Sequence, residues 1–459
     1  MSAISPQSQP LLTDHFAVTP VLPATSTVYR QLAVRQKLCI LLSICLGVAA
    51  FFTHHTYRHV IATISNDAAP SIIAAAQIRS DIAHAHTLIV NLFLSKEGTE
   101  SPLGQAYISA IDQADDHLLF AAQNITFGNE ERRSVLAAMT QMSEYERLVG
   151  MAFVSKEPVR FVLKADTLMR EKLLPSVSLI DEINVKHLTA SYTDEVRQAT
   201  YYFYTSLLFA ALMLVLFLET QVKLYRECKR IFNLPMLLGT ISLLSGIALM
   251  SWHVSSLTRH LQIAKVDAFD SVHSLSHAKA NAYVANAQES LYLLVTDKTV
   301  QSQQAAFFMS YAHQLFDGNI GIASALIASP SSVKTHGLLG DELANIAFAG
   351  EHEAAAETLT TWAEYMAIDA HVRQLESAGE HQKAIALGTG KHEHESDWAF
   401  ERFTTALAKA LSVNQQAFEA AIGRCASILQ WTTYLLLLLF LAPLIGSYVG
   451  IRQRLLEYR

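Results

Sequence analysis

The chain is poor in charge, in cysteine and in catalytic signatures. Charged residues make up 16% of its 459 positions, against about 25% in an ordinary soluble protein. That deficit argues against a freely soluble domain. Its four cysteines are Cys39, Cys45, Cys228 and Cys425. Apart from Cys425, the two long polar segments contain none, so no disulfide framework holds them and packing alone must. There is no P-loop, no dinucleotide fingerprint, no His-Glu-x-x-His and no Gly-x-Ser-x-Gly. An enzyme is therefore not expected, and no cofactor is implied. Alternating β-branched runs are also missing, which points to an all-α fold.

What is abundant is apolar: 51% of the residues. Four runs match the roughly 20 residues needed to cross a bilayer core: Lys37–Thr53, Tyr201–Glu219, Phe232–Trp252 and Ile428–Gly450. None carries a charge away from its ends, so an ion or proton path is unsupported. The first run follows too long a leader to be a cleaved signal peptide and is expected to be an anchor. Short segments flanking the runs hold ten Lys or Arg against four acids, whereas residues 54–198 carry net −5 and residues 253–427 net −8. The positive-inside rule then puts both termini and the 220–231 hairpin in the cytoplasm and both long loops outside. Such acidic loops exclude nucleic acid as a partner. The expected order is a disordered cytoplasmic stretch (1–30), span 37–53, outer loop 54–200, span 201–219, hairpin 220–231, span 232–252, outer loop 253–427, span 428–450 and tail 451–459.

Both loops read as helix. In the first, a 3-4-3-4 seam runs through Ile61, Ile64, Ala68, Ser71, Ala75, Ile78, Ile82, Ala85, Ile89 and Leu92, the pattern of a helix packed lengthwise on others. Breaks at Gly98/Pro102, Thr126–Glu131 and Val154–Val159 predict helices over 55–96, 103–125, 130–154 and 158–200. The second loop predicts helices over 253–297, then one ending near Phe316, one over 341–376 and one from Ser396. "RHVIATISNDAAPS" (Arg58–Ser71) and "RHLQIAKVDAFDS" (Arg259–Ser271) begin with Arg-His and end in Asp-Ala-x-x-Ser, each just past an apolar run. The architecture expected is therefore an integral membrane protein with four transmembrane helices and two extracytoplasmic antiparallel helical bundles in tandem.

The stretch before the final helix, with Glu376, Ala378, Gly379, Glu380, Ala384, Gly388, Gly390 and Phe403, resembles the four-helix-bundle sensor domain of bacterial chemoreceptors and histidine kinases. The resemblance implies an extracytoplasmic bundle that senses a ligand or a condition, with a homodimer among its expected partners. Receptors of that kind continue into a signalling module, whereas only "IRQRLLEYR" follows the fourth run here. The expectation is a sensor or signalling accessory that acts through a membrane signalling or transport protein. The alternative is a scaffold subunit of an envelope complex with no small ligand.

Nineteen histidines stand out. The pairs His55/His59 and His273/His277 share helix faces at i,i+4, and His392/His394 lie beside Glu393 and Glu395. Such donors suit zinc or a similar ion, although two histidines fill only half a tetrahedral shell. The bland reading is solvated surface histidines. Their number also allows a pH-sensing role. Arg79, next to the seam, is a candidate for holding an acidic ligand; otherwise it is a surface arginine paired to a neighbouring acid. Asp115–Asp116 and Asp181–Glu182 read as solvated acids.

Overall fold

A computed structural model describes residues 25–228, 233–317 and 336–457. Among these, thirteen α-helices and three π-helical turns occur, and the sole β feature is an isolated bridge between Asp317 and His336. In chain order the helices are α1 (Thr25–Ala62), α2 (Ala69–Ser95), α3 (Pro102–Gln123), α4 (Asn129–Val154), α5 (Pro158–Leu168), α6 (Leu174–Cys228), α7 (Leu234–Gln262), α8 (Asp270–Leu294), α9 (Lys298–Leu315), α10 (Leu338–Ala344), α11 (Glu351–Ser377), α12 (His381–Gly388) and α13 (Ser396–Glu457). The π turns Thr63–Ala68, Met169–Leu173 and Ile263–Phe269 join α1 to α2, α5 to α6 and α7 to α8 without a break. The first-loop helices fall where the Gly and Pro breaks put them. Helix α1 reaches back to Thr25, so residues 25–30 are helical rather than irregular. The rest of the expected disorder and the hairpin turn at 229–232 lie outside the described residues.

The chain divides into two compact units. One comprises residues 1–49, 204–249 and 435–459 and holds most of four helices long and apolar enough to cross a membrane. Its interior contains Leu32, Leu46, Met213, Phe217, Leu243 and Ile451. Its surface is also apolar: Leu41, Leu208, Leu238, Leu437 and Leu438 are each more than half exposed. Leucines on both the inside and the outside of a bundle need lipid as their solvent. This is a membrane protein. Helices α7 and α13 touch through Gly239 and Gly446; a Cβ on Gly446 would lie 2.5 Å from the Pro235 carbonyl oxygen. Ser242 donates from Oγ to the Leu439 carbonyl at 2.9 Å on the same seam. The small residues of the third run thus let two backbones approach.

The other unit comprises residues 50–203 and 250–434, both long loops together. The sequence leaves open whether the two loops make one unit or two, and in the structure their described residues share one body. Its axis is the pair α2 and α8. Both are rich in small residues, and Ala75, Ala83 and Ala85 on one and Ala278, Ala282, Ala285 and Ala287 on the other are fully buried. A helix that is apolar on nearly every side has to sit at the centre. All ten predicted seam residues, from Ile61 to Leu92, are buried, and one core cluster runs from Ile78 and Met142 of the first loop to Val284 and Leu291 of the second. Polar contacts cross the same seam: Thr87 donates to the Tyr283 carbonyl at 2.8 Å, and Gln288 donates to Asp166 at 2.7 Å. Helices α3 to α6 pack around α2, and α9 to α13 around α8.

Candidate functional site

The Arg-His and Asp-Ala-x-x-Ser stretches flank the π turns Thr63–Ala68 and Ile263–Phe269. One extra residue in a helical turn leaves backbone groups less regularly paired, and such bulges are frequent at working sites. Similar hydrogen bonds surround the two turns. Asn124, at the end of α3, donates to Ser71 at 3.0 Å; Asn345, at the end of α10, donates to Ser271 at 2.9 Å. Glu131 in the first turn of α4 accepts from the backbone N–H groups of Thr126 and Phe127, and Glu351 at the start of α11 from those of Ala347 and Phe348. Asn184 of α6 donates to Glu131, and Asn414 of α13 donates to Glu342.

One turn further into the unit, three helices converge on a polar clasp. Asp181 of α6 is 2% exposed. Its Oδ2 accepts from His273 Nε2 at 2.8 Å and His277 Nε2 at 2.9 Å, both on α8. Arg79 of α2 donates from Nη1 to His277 Nδ1 at 2.7 Å. The arginine's donation fixes a neutral His277 whose proton sits on Nε2, facing the carboxylate. Burial would raise the Asp181 carboxyl, but the hydrogen bonds from the two imidazoles outweigh it and hold it at about 2. Burial lowers His277 below the usual imidazole range, and Arg79 adds to that. The clasp is charge-balanced, one guanidinium against one carboxylate. Two buried atoms within it, Asp181 Oδ1 and Arg79 Nε, have no hydrogen-bond partner, so it has capacity for a further small polar ligand.

Of the residues singled out in the sequence, Arg79, His273 and His277 come together here. Arg79 is not a surface arginine paired to a nearby acid; it points between helices. Asp181 was read as solvated, whereas it is the acceptor at the centre. Its position could have been found: Val177, Asp181, Asn184 and Leu188 follow the 4-3-4 seam of α6, and all four are buried. Asp181, His273 and His277 place three donor atoms within 4.8 Å of one another, close enough to hold a metal ion. Arg79 opposes that use, because a cation on His277 Nε2 needs the proton on Nδ1, where Arg79 already donates. His392 and His394 do not join a three-donor group among the described residues. His394 is exposed near Glu364 and Glu393, while the His392 backbone N–H donates to Glu395. His59 bonds Glu195, and His55 stacks on Phe51.

Sequence reading also missed two buried acids. Glu289 accepts from Ser396 at 2.8 Å and from Tyr365 at 2.6 Å; burial first, then the Asp369 carboxylate, raises it well above the carboxylate range. Asp166 accepts from Arg170 and Gln288 and lies 3.3 Å from His86. The stretch that carries the receptor resemblance forms the end of α11 and the short α12. Gly388 there leaves no room for a side chain, since a Cβ would meet Leu293 at 2.8 Å.

A family model described as an actinobacterial sensor domain matches residues 60–193. That span begins just before the first π turn and ends within α6, so it covers the first loop's share of the unit, including Arg79 and Asp181. Comparisons with curated proteins and with solved structures give no match. Over the matched residues the chain is similar to a sensor domain, which suggests a sensing or signalling role.

Proposed function

We propose that the chain is a multi-pass membrane sensor or signalling accessory. Its two loops, copies of one helical plan, lie on the extracytoplasmic side with both termini in the cytoplasm. They register a ligand or an envelope condition, and the response passes to a partner within the membrane. The observation that carries this reading is continuity: the stretches Thr25–Ser95, Pro158–Cys228, Leu234–Leu294 and Ser396–Glu457 each run helically from one unit into the other. A small slide or rotation of α2 against α8 would travel along such helices, and the π turns are where it could be absorbed or passed on. The paired hydrogen bonds at Ser71 and Ser271 support duplication. The Arg79–His277–Asp181 clasp ties the first helix of one copy to the last and first helices that flank the hairpin, so it is the best-placed element to register a bound group.

Thermal-shift screening of the intact, detergent-solubilised chain against amino acids and organic acids tests this. A saturable shift that disappears in Arg79→Gln is expected. No shift across the screen, together with capture of envelope structural proteins alone from solubilised membranes, would replace this reading with the scaffold alternative.

A further inference from the structure

The duplicated Arg-His pair has two different partners. In the first copy His59 lies 2.9 Å from Glu195 of α6, so an acid faces it. In the second copy the corresponding stretch of α13 presents Arg424. His260 Nδ1 has no hydrogen-bond partner, and Arg259 and Arg424 form no ion pair among the described residues. Burial lowers His260 below the usual imidazole range, and the charges of Arg424 and Arg259 lower it further. Arg259, His260, Gln262 and Arg424 line a groove of about 520 Å³ whose wall is made by alanines of α13. Asp267 is the one acid in the lining, so two arginines face a single carboxylate. Like charges in excess of their counter-ions are unfavourable unless a further anion joins them.

The height of the groove is also set. Arg259 follows Trp252 by seven residues and Arg424 precedes Trp431 by seven, about 10 Å along either helix. The two indoles pack at 5.3 Å between ring centres, and tryptophan marks the membrane interface. Long arginine side chains at that height reach the headgroup layer.

We propose that this groove is an oxyanion site that takes a phosphate group, presented by a phospholipid headgroup or by a soluble phosphate compound. The two guanidiniums would hold the phosphate oxygens by paired N–H donation, with His260 Nδ1 as the third contact. This assignment is independent of the sensor reading, because it requires only that α7 and α13 enter a bilayer.

Two arms test it on the full-length protein, using wild type, Arg259→Gln/Arg424→Gln and, as the matched control in the first copy, Arg58→Gln. All three changes are at exposed positions, and circular dichroism checks that helix content is kept. In the first arm, nanodiscs of mixed phosphatidylcholine and phosphatidylglycerol are analysed by native mass spectrometry for retained lipid. In the second, inorganic phosphate is titrated by thermal shift in detergent. Wild type and Arg58→Gln should retain phosphatidylglycerol about tenfold more strongly than the double variant, the loss of one charge-assisted contact or more. A difference confined to the phosphate arm assigns the site to a soluble compound. Equal behaviour of wild type and the double variant in both arms overturns the proposal.

Discussion

At the scale of single residues, the clasp is sensitive because its charges balance through a neutral histidine. Asp181→Asn removes the carboxylate at the far side of His277 from a largely buried guanidinium, and stranding a buried charge is costly. We expect a loss of about 3–5 kcal/mol in thermal or denaturant unfolding, most of it recovered in Asp181→Asn/Arg79→Gln. No recovery would mean that Arg79 and Asp181 are not coupled. The same geometry sets metal affinity. Zinc titrated by calorimetry should bind Arg79→Gln at least about tenfold more tightly than wild type, because His277 Nδ1 is then free to carry its proton. Tighter binding to wild type would make this a metal site in which Arg79 plays no opposing part. Burial also shapes the pH response. His84 is pushed down to about 4, first by burial and then by Lys279, and His277 is lowered as well. Their folded values lie below the unfolded one of about 6.5, so stability falls as pH drops from there towards 4. Burial pushes Asp397 up to about 6 and raises Glu289 too. Those acids stabilise fully below about pH 4 and lose that contribution as pH rises through 6 and beyond. A melting temperature that peaks between about pH 4.5 and 6.5 follows; a steady rise to pH 8 would contradict it.

At the scale of elements, helix starts and stops were legible because local chemistry sets them. Pro102 follows the Ser101 cap of α3, whose side chain accepts from Gly104, and Asp297 caps α9 in the same way. The seam on α2 was legible for the same reason, since its period matches the helix. The π turns were not: the one-residue slip between the two Arg-His stretches is visible, but which turn absorbs the extra residue depends on what packs around it. The α7–α13 contact belongs to this scale too. Gly446→Leu should lower the melting temperature in detergent strongly, by about 2 kcal/mol or more of destabilisation, because the new side chain meets the backbone of Pro235. Gly47→Leu, with open space around it, should be tolerated. Equal tolerance of both would remove the close α7–α13 approach.

At the scale of the whole molecule, the joined core of α2 and α8 means that neither loop is self-sufficient. Residues 54–200 expressed alone would expose the face of α2 that carries Ala83 and Thr87, and should aggregate or stay partly unfolded. The two halves of the chain, 1–230 and 231–459, co-expressed in one cell should instead copurify. Monodisperse, cooperatively melting 54–200 would show that the loop has its own complete core.

The sequence by itself determined the helical class, the four membrane-length runs, the helix boundaries of the first loop and the recurrence of one stretch. These follow from composition, period and capping, which act within a few residues. It also picked out Arg79, His273 and His277 as unusual, but on separate grounds. Only the tertiary structure decided that the two loops share a core, that these three side chains meet at Asp181, and that Arg424 rather than an acid faces the second Arg-His pair. Those facts depend on which faces of distant helices meet. Many Ala-rich faces can pack on one another, so periodicity identifies the buried side of a helix without naming its neighbour.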